Sequence, residues 1–216
     1  MTESTQPLVA FFPSISHIHP VNLPNAITLS RLFLTAGFII FVAHESTWGH
    51  FVALGLFIVA AASDYLDGYL ARKLNLVTPL GKLLDPLADK ILVCSAFVFL
   101  TAKGLCPVWI TALIIAREFL VTGLRQIAIE AGKVLEADKL GKWKTTFQLT
   151  YLISGLIWLT LETMDRVPPF LSLFYTLTKP WGDGAWLLPI SLVLAVALTV
   201  ISGWNYVWSS RYLLKD

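Results

Sequence analysis

Apolar runs that acquire charge only near one end limit what this chain can fold into. Trp186 to Trp208 is free of charge over a full membrane thickness. Five other runs are apolar for most of their length. Ile27 to Ala43 carries Arg31 near its start, and His50 to Leu70 carries Asp64 and Asp67 near its end. Leu83 to Ala102 opens on Asp85, Asp89 and Lys90, and Pro107 to Ala131 closes on Arg117, Glu118 and Arg125. Phe147 to Leu161 follows the basic segment Lys139 to Lys144. Threaded back and forth, the first five runs place their charged ends on one side. The pattern predicts an all-α fold, an integral membrane bundle of six transmembrane helices. Composition agrees: of 216 residues, 56% are hydrophobic and 14% charged, and the mean hydropathy is +0.71. Such a chain is too apolar for an ordinary soluble enzyme or a disordered segment. Its length accommodates about six spans with their loops, a single domain over 23–216. Residues 1–22 read as a loose, juxtamembrane tail without the basic start and compact apolar stretch of a signal peptide.

Thirteen of the sixteen Lys and Arg residues fall on or toward the charged side, against Lys103, Arg166 and Lys179 opposite. The positive-inside rule makes that side cytoplasmic, with both termini on it. A net charge of +2 without a run of like charges argues against a nucleic-acid partner. Cys94 and Cys106 match neither a metal-type pair nor a disulfide framework and read as reduced. The longest outer connection, Thr163 to Ala185, combines Pro168-Pro169 with aromatics up to Trp181, a composition suited to lying along the membrane surface.

Chemistry concentrates in the acids. Asp64 and Asp67 are three apart, and Asp85 and Asp89 four apart, so each pair shares a helix face. Two sequential spans with a short inner loop can bring the four carboxylates together near the cytoplasmic surface. Gly68, Ala71, Gly81 and Ala88 would let the helices approach, and Thr78-Pro79 interrupts the chain between them. As loop charges of a shallow turn the acids would need no partner. At membrane depth each costs about 2.5 to 3.5 kcal/mol, and four together repel. Two hard divalent cations, Mg²⁺ or Mn²⁺, would resolve both problems, since they prefer oxygen donors. The absence of a nearby His argues against zinc.

The string Asp64-Tyr65-Leu66-Asp67-Gly68-Tyr69-Leu70-Ala71-Arg72, with Gly81, Asp85 and Asp89 following at fixed spacing, fills the pattern D-x2-D-G-x2-A-R-x8-G-x3-D-x3-D. It closely resembles the signature of the CDP-alcohol phosphotransferases. That resemblance implies six transmembrane helices, a dinuclear metal site, and transfer of a phosphate-linked group from a CDP-activated substrate to an alcohol, with release of CMP. Asp64, Asp67 and Asp85 would then be metal ligands, and Asp89 both a ligand and the general base. Arg72 would offset phosphate charge, while Gly68, Thr78 and Gly81 would border the nucleotide. The segment Pro24-Asn25-Ala26-Ile27-Thr28 resembles the family's entry segment, whose Asn and Thr hold cytidine, which assigns Asn25 and Thr28 to CDP-diacylglycerol. As a plain string it is also an ordinary helix start.

A second basic set comprises Arg117, Arg125, Lys139, Lys142 and Lys144. Loop lysines on the cytoplasmic side also serve topology and anionic lipids. Arg117, inside an apolar helix, calls for an anionic partner, and Glu118 could pair with it or with Arg125. Cations facing the acids suggest an acceptor that itself carries phosphate. The segments Arg117-Glu118-Phe119, Gly123-Leu124-Arg125 and Gly141-Lys142-Trp143-Lys144 resemble the bacterial branch of the family that joins CDP-diacylglycerol to glycerol 3-phosphate. This implies an inner-membrane homodimer with membrane lipids around it. Rival readings are another acceptor, inositol phosphate or serine, and a divalent-cation transporter. The transporter is disfavoured because the outer halves of the spans carry almost no acids.

Overall fold

In a bilayer every backbone polar group must be satisfied within its own segment or its immediate partners, so apolar runs of this length form helices. The computed structural model describes residues 23–74, 79–130, 132 and 139–211, and for residues 23–28, 64–74, 79–89, 130 and 139 the backbone alone. Among them the structure is all-helical. Its long helices are α1 (Leu23–Ala43), α2 (Thr47–Leu74), α3 (Pro79–Ala102), α4 (Val108–Glu130), α5 (Lys139–Glu162) and α7 (Leu187–Ser210). A short 3₁₀ turn, Pro169–Leu171, and the seven-residue α6 (Ser172–Thr178) lie between α5 and α7. α3 starts on Pro79, where a missing N–H costs nothing. The turn into α4 relies on Gly104 at φ 74°, a left-handed conformation that ends a helix cheaply only in glycine.

Short turns force antiparallel neighbours, so the long helices alternate in direction. One end of the bundle gathers the α1–α2 turn, the α3–α4 turn and the end of α5. There Lys103 Nζ lies 2.5 Å from Glu45 Oε1, and Thr47 Oγ1 donates to the Thr163 carbonyl at 2.6 Å. The hydrogen bond and charge of Lys103 hold the Glu45 carboxyl below the usual carboxylate range. The opposite end holds the start of α1, the end of α2, the starts of α3 and α5, and the ends of α4 and α7. α5 packs chiefly on α7 and α2, and α1 on α2 and α3. Phe38 meets Phe57 with ring centroids 5.6 Å apart, and Phe97 stacks on Tyr151 at 5.8 Å. A Cβ on Gly155 would meet Leu100 Cδ1 at 2.8 Å, so the missing side chain gives that leucine its place.

α7 is apolar outward and partly polar inward. Its buried face includes Ser191, Ala195, Thr199, Ser202, Gly203 and Ser210, while Ile190, Val193, Val200 and Ile201 are exposed. That inversion suits a hydrocarbon surrounding, where small residues allow close helix contact and an apolar exterior costs nothing. Among the described residues α7 is the one helix both long and apolar enough to cross a membrane by length and composition, with a mean hydropathy of 2.2. Charges shorten the corresponding stretches elsewhere, as in Leu29–Ala43, Thr47–Ser63 and Lys90–Ala102. Exposed tryptophans cluster toward the two ends of the bundle: Trp48, Trp109, Trp181 and Trp186 at one, Trp143, Trp204 and Trp208 at the other. About 27 Å of helix rise separates Trp186 from Trp204, close to the thickness of a hydrocarbon core. The segment expected to lie along the surface forms α6 and its preceding turn, with Phe170, Leu173 and Phe174 exposed.

The Tyr151 hydroxyl, on a fully buried side chain, donates to the Leu105 carbonyl at 3.0 Å and ties α5 to the α3–α4 turn. Tyr151→Phe is expected to cost about 1 kcal/mol, seen as a lower midpoint of thermal unfolding in detergent. An unchanged midpoint would show the bond to contribute nothing.

Candidate functional site

The sequence pattern selects one end of the bundle, and the backbone gathers the selected positions there. Asp64, Asp67, Gly68 and Arg72 lie in the second half of α2. Gly81, Asp85 and Asp89 lie in the first half of α3, directly across the connection 75–78. Asn25 and Thr28 occupy the first turns of α1 at the same end. Thr78 and the tail 1–22 are outside the described residues, as are the side chains of Asn25, Thr28, Asp64, Asp67, Arg72, Asp85, Asp89 and Lys139. The donor set of α2 and α3 is four carboxylates with no His between Asp64 and Asp89, on helix segments that the topology brings to one end. Oxygen donors of this kind fit hard divalent cations.

A charged hub begins one residue after Asp89. Lys90 Nζ on α3 lies 3.0 Å from Glu118 Oε2 on α4. Lys144 Nζ on α5 is hydrogen-bonded to Glu118 Oε1, and Arg117 Nη1 lies 3.6 Å from the same oxygen. Glu118 is 4% exposed and Lys144 2%. One buried carboxylate thus faces cations from three helices. Its negative charge lets Lys144 remain buried, because an isolated ammonium at that depth would be strongly penalised.

Two further contacts of these arginines run to α7. Arg117 Nη2 donates to Ser202 Oγ at 2.9 Å, and Arg125 Nη2 donates to Tyr206 Oη at 2.8 Å. Arg117 and Arg125, eight residues apart on α4, therefore meet one neighbour. Lys142 is exposed two residues before buried Lys144. The expectation that Lys139 to Lys144 forms a loop before the fifth span is corrected: α5 begins at Lys139. Lysine is a good helix former, Gly141 has open space around it, and Glu118 supplies the charge that seats Lys144 within the helix.

Sequence reasoning gave Lys90 no part in the site and overlooked Ser202 and Tyr206. A signal was present, since Ser202, Tyr206 and Ser210 recur every four residues in an apolar run. Such residues also serve ordinary helix packing, so the spacing alone names no partner. Cations beside a carboxylate-bearing helix pair have the chemistry to bind phosphate groups and carry out acid–base work on a polar substrate at the membrane edge.

Comparison with known proteins bears on the family of the chain. The family model described as CDP-alcohol phosphatidyltransferase matches residues 21–201. The chain is 41% identical to the CDP-diacylglycerol--glycerol-3-phosphate 3-phosphatidyltransferase of Bacillus subtilis, over 90% of this chain and 97% of that protein. It is 32% identical to the protein of the same name in Cereibacter sphaeroides, over 90% and 98%. A Rickettsia typhi protein with that name is 37% identical, over 86% and 94%. With most of its length inside the matched model and inside these relatives, the chain belongs to the CDP-alcohol phosphatidyltransferase family.

Proposed function

We infer that this protein transfers the phosphatidyl group of CDP-diacylglycerol to glycerol 3-phosphate, forming phosphatidylglycerophosphate and CMP. The observation that carries the reading is nearly full-length similarity to relatives named for that reaction, in a chain with a cationic cluster beside the segment bearing its four aspartates. The protein works in the bacterial cytoplasmic membrane as six spans, with the site and both termini facing the cytoplasm. Exposed tryptophan belts and the lopsided Lys and Arg distribution support that placement. It functions as a homodimer, with the diacyl tails of its substrate in grooves open to the bilayer.

Asp64, Asp67, Asp85 and Asp89 would hold two divalent cations, Mg²⁺ or Mn²⁺. Bound there, such ions would supply Lewis-acid stabilisation of phosphate oxygens. Asp89 accepts the proton of the primary hydroxyl at carbon 1 of glycerol 3-phosphate. That oxygen attacks the β-phosphorus of the pyrophosphate, the bond from this phosphorus to the bridging oxygen breaks, and CMP leaves with the electron pair. No covalent enzyme intermediate forms. Arg72 offsets charge on the departing nucleotide, and Asn25, Thr28, Gly68, Thr78 and Gly81 border CDP-diacylglycerol. Arg117, Arg125, Lys142 and Lys144 hold the acceptor phosphate, with Lys139 at the margin. Glu118 seats Lys144 and links it to the helix that bears Asp89.

Three experiments test the reading. A purified-protein assay with labelled CDP-diacylglycerol should release CMP with glycerol 3-phosphate and not with serine or inositol phosphate; release with serine alone would reverse the acceptor assignment. Asp89→Asn should lower turnover by at least about a hundredfold, as loss of a general base does, while Mn²⁺ binding by titration is partly kept. Near-normal turnover would remove its role as base. Glu118→Ala leaves buried Lys144 without its carboxylate and should destabilise the fold by about 3 to 5 kcal/mol, measured as a large drop in the midpoint of thermal unfolding.

A further inference from the structure

The last helix carries no family motif in the sequence, yet its inner end touches both arginines assigned to the acceptor. Tyr206 is 5% exposed. Its ring centroid lies 5.9 Å from the Arg117 guanidinium carbon and 6.0 Å from that of Arg125, so one ring is within reach of two cations eight residues apart on α4. Its hydroxyl accepts from Arg125. One turn earlier, Ser202 accepts from Arg117. Between them Gly203 leaves room for the Arg117 stem: an added Cβ would lie 3.1 Å from Arg117 Cγ. Three features of one α7 face thus serve the same pair of side chains.

We propose that Tyr206, aided by Ser202, is a positioning residue that holds Arg117 and Arg125 in place to receive the phosphate of the acceptor alcohol. The inference rests on the function proposed above and adds α7 to its specificity. Arginine side chains lose much rotamer freedom when they bind, and a partner that fixes them beforehand lowers that cost. The chemistry of the partner matters as well. A neutral hydroxyl or aromatic ring orients a guanidinium without cancelling its charge, whereas a carboxylate would do both. Arg125 is thereby held and remains attractive to a phosphate dianion, while Arg117 shares the single charge of Glu118 with Lys90 and Lys144, so the cluster keeps a net positive charge.

The test is a split of kinetic constants on the full-length purified protein, measured by CMP release with each substrate varied in turn. Tyr206→Phe keeps the ring and loses the hydroxyl. It should raise KM for glycerol 3-phosphate about three- to tenfold, with kcat and KM for CDP-diacylglycerol within about twofold. Ser202→Ala should move the same constant in the same direction. In a double variant with Arg125→Ala, Tyr206→Phe should add little, because its effect passes through that arginine. An unchanged KM for glycerol 3-phosphate in Tyr206→Phe would overturn the proposal. So would equal losses toward both substrates together with a lower unfolding midpoint, which would mark Tyr206 as packing only. The wild-type protein and Arg125→Ala separate this from failure of the function itself. A wild-type protein that releases no CMP with glycerol 3-phosphate overturns the function, and an Arg125→Ala variant with unchanged KM removes that arginine from the acceptor site. If both behave as expected, Tyr206→Phe alone decides.

Discussion

Glu118 is the joint of this structure. It places one buried carboxylate among Lys90 of α3, Lys144 of α5 and Arg117 of its own helix. Buried charges are tolerated only when their partners are present and well placed, and removing one member exposes the desolvation cost of the rest. The parts of α3, α4 and α5 that meet here are therefore set relative to one another by a requirement stricter than apolar contact. Since Lys90 follows Asp89 directly, the same requirement reaches the helix that carries half of the acidic signature. Packing at the other end is of a different kind, built from Phe97, Leu100 and Tyr151 and from hydroxyl bonds around the α3–α4 turn.

The inside-out character of α7 connects fold to chemistry. Its outward face is apolar where lipid would lie, and its inward face carries small and hydroxyl-bearing residues. Small residues allow α7 to pack closely on α5, and Thr199 receives a hydrogen bond from Gln148 at 3.3 Å. Farther along the same face, Ser202 and Tyr206 turn toward the arginines of α4. A face needed for packing over most of its length becomes, in its last turns, a wall of the polar end. The two uses are compatible because hydroxyls satisfy their own donors on the helix backbone, as Thr199 and Ser210 do, and still accept from a neighbour.

Much of the fold was legible because a bilayer leaves few options for a long apolar run. The break at Pro79, the turn at Lys103 to Pro107 and the charge-free last helix are all visible in residue order alone. The start of α5 was not. A run of lysines looks like a solvated loop until a carboxylate on another helix is known to face it, and Glu118 lies twenty-six residues before Lys144. The acidic signature was legible for a different reason: fixed spacing on two helices with a short connection constrains where residues can go. The partners of Arg117 and Arg125 were hidden, because serine and tyrosine occur in membrane helices for many reasons and spacing along one helix says nothing about which helix packs beside it.

The amino-acid sequence by itself determined the helical class, the alternation of the long segments and the grouping of Asp64, Asp67, Asp85 and Asp89 at one end, since hydropathy and fixed spacing act within or between adjacent segments. Tertiary structure alone decided that Glu118 binds Lys90 and Lys144, and that α7 meets both arginines. Those pairings depend on which helices pack together, and contacts between segments distant along the chain arise from the balance of packing over the whole bundle rather than from any local pattern.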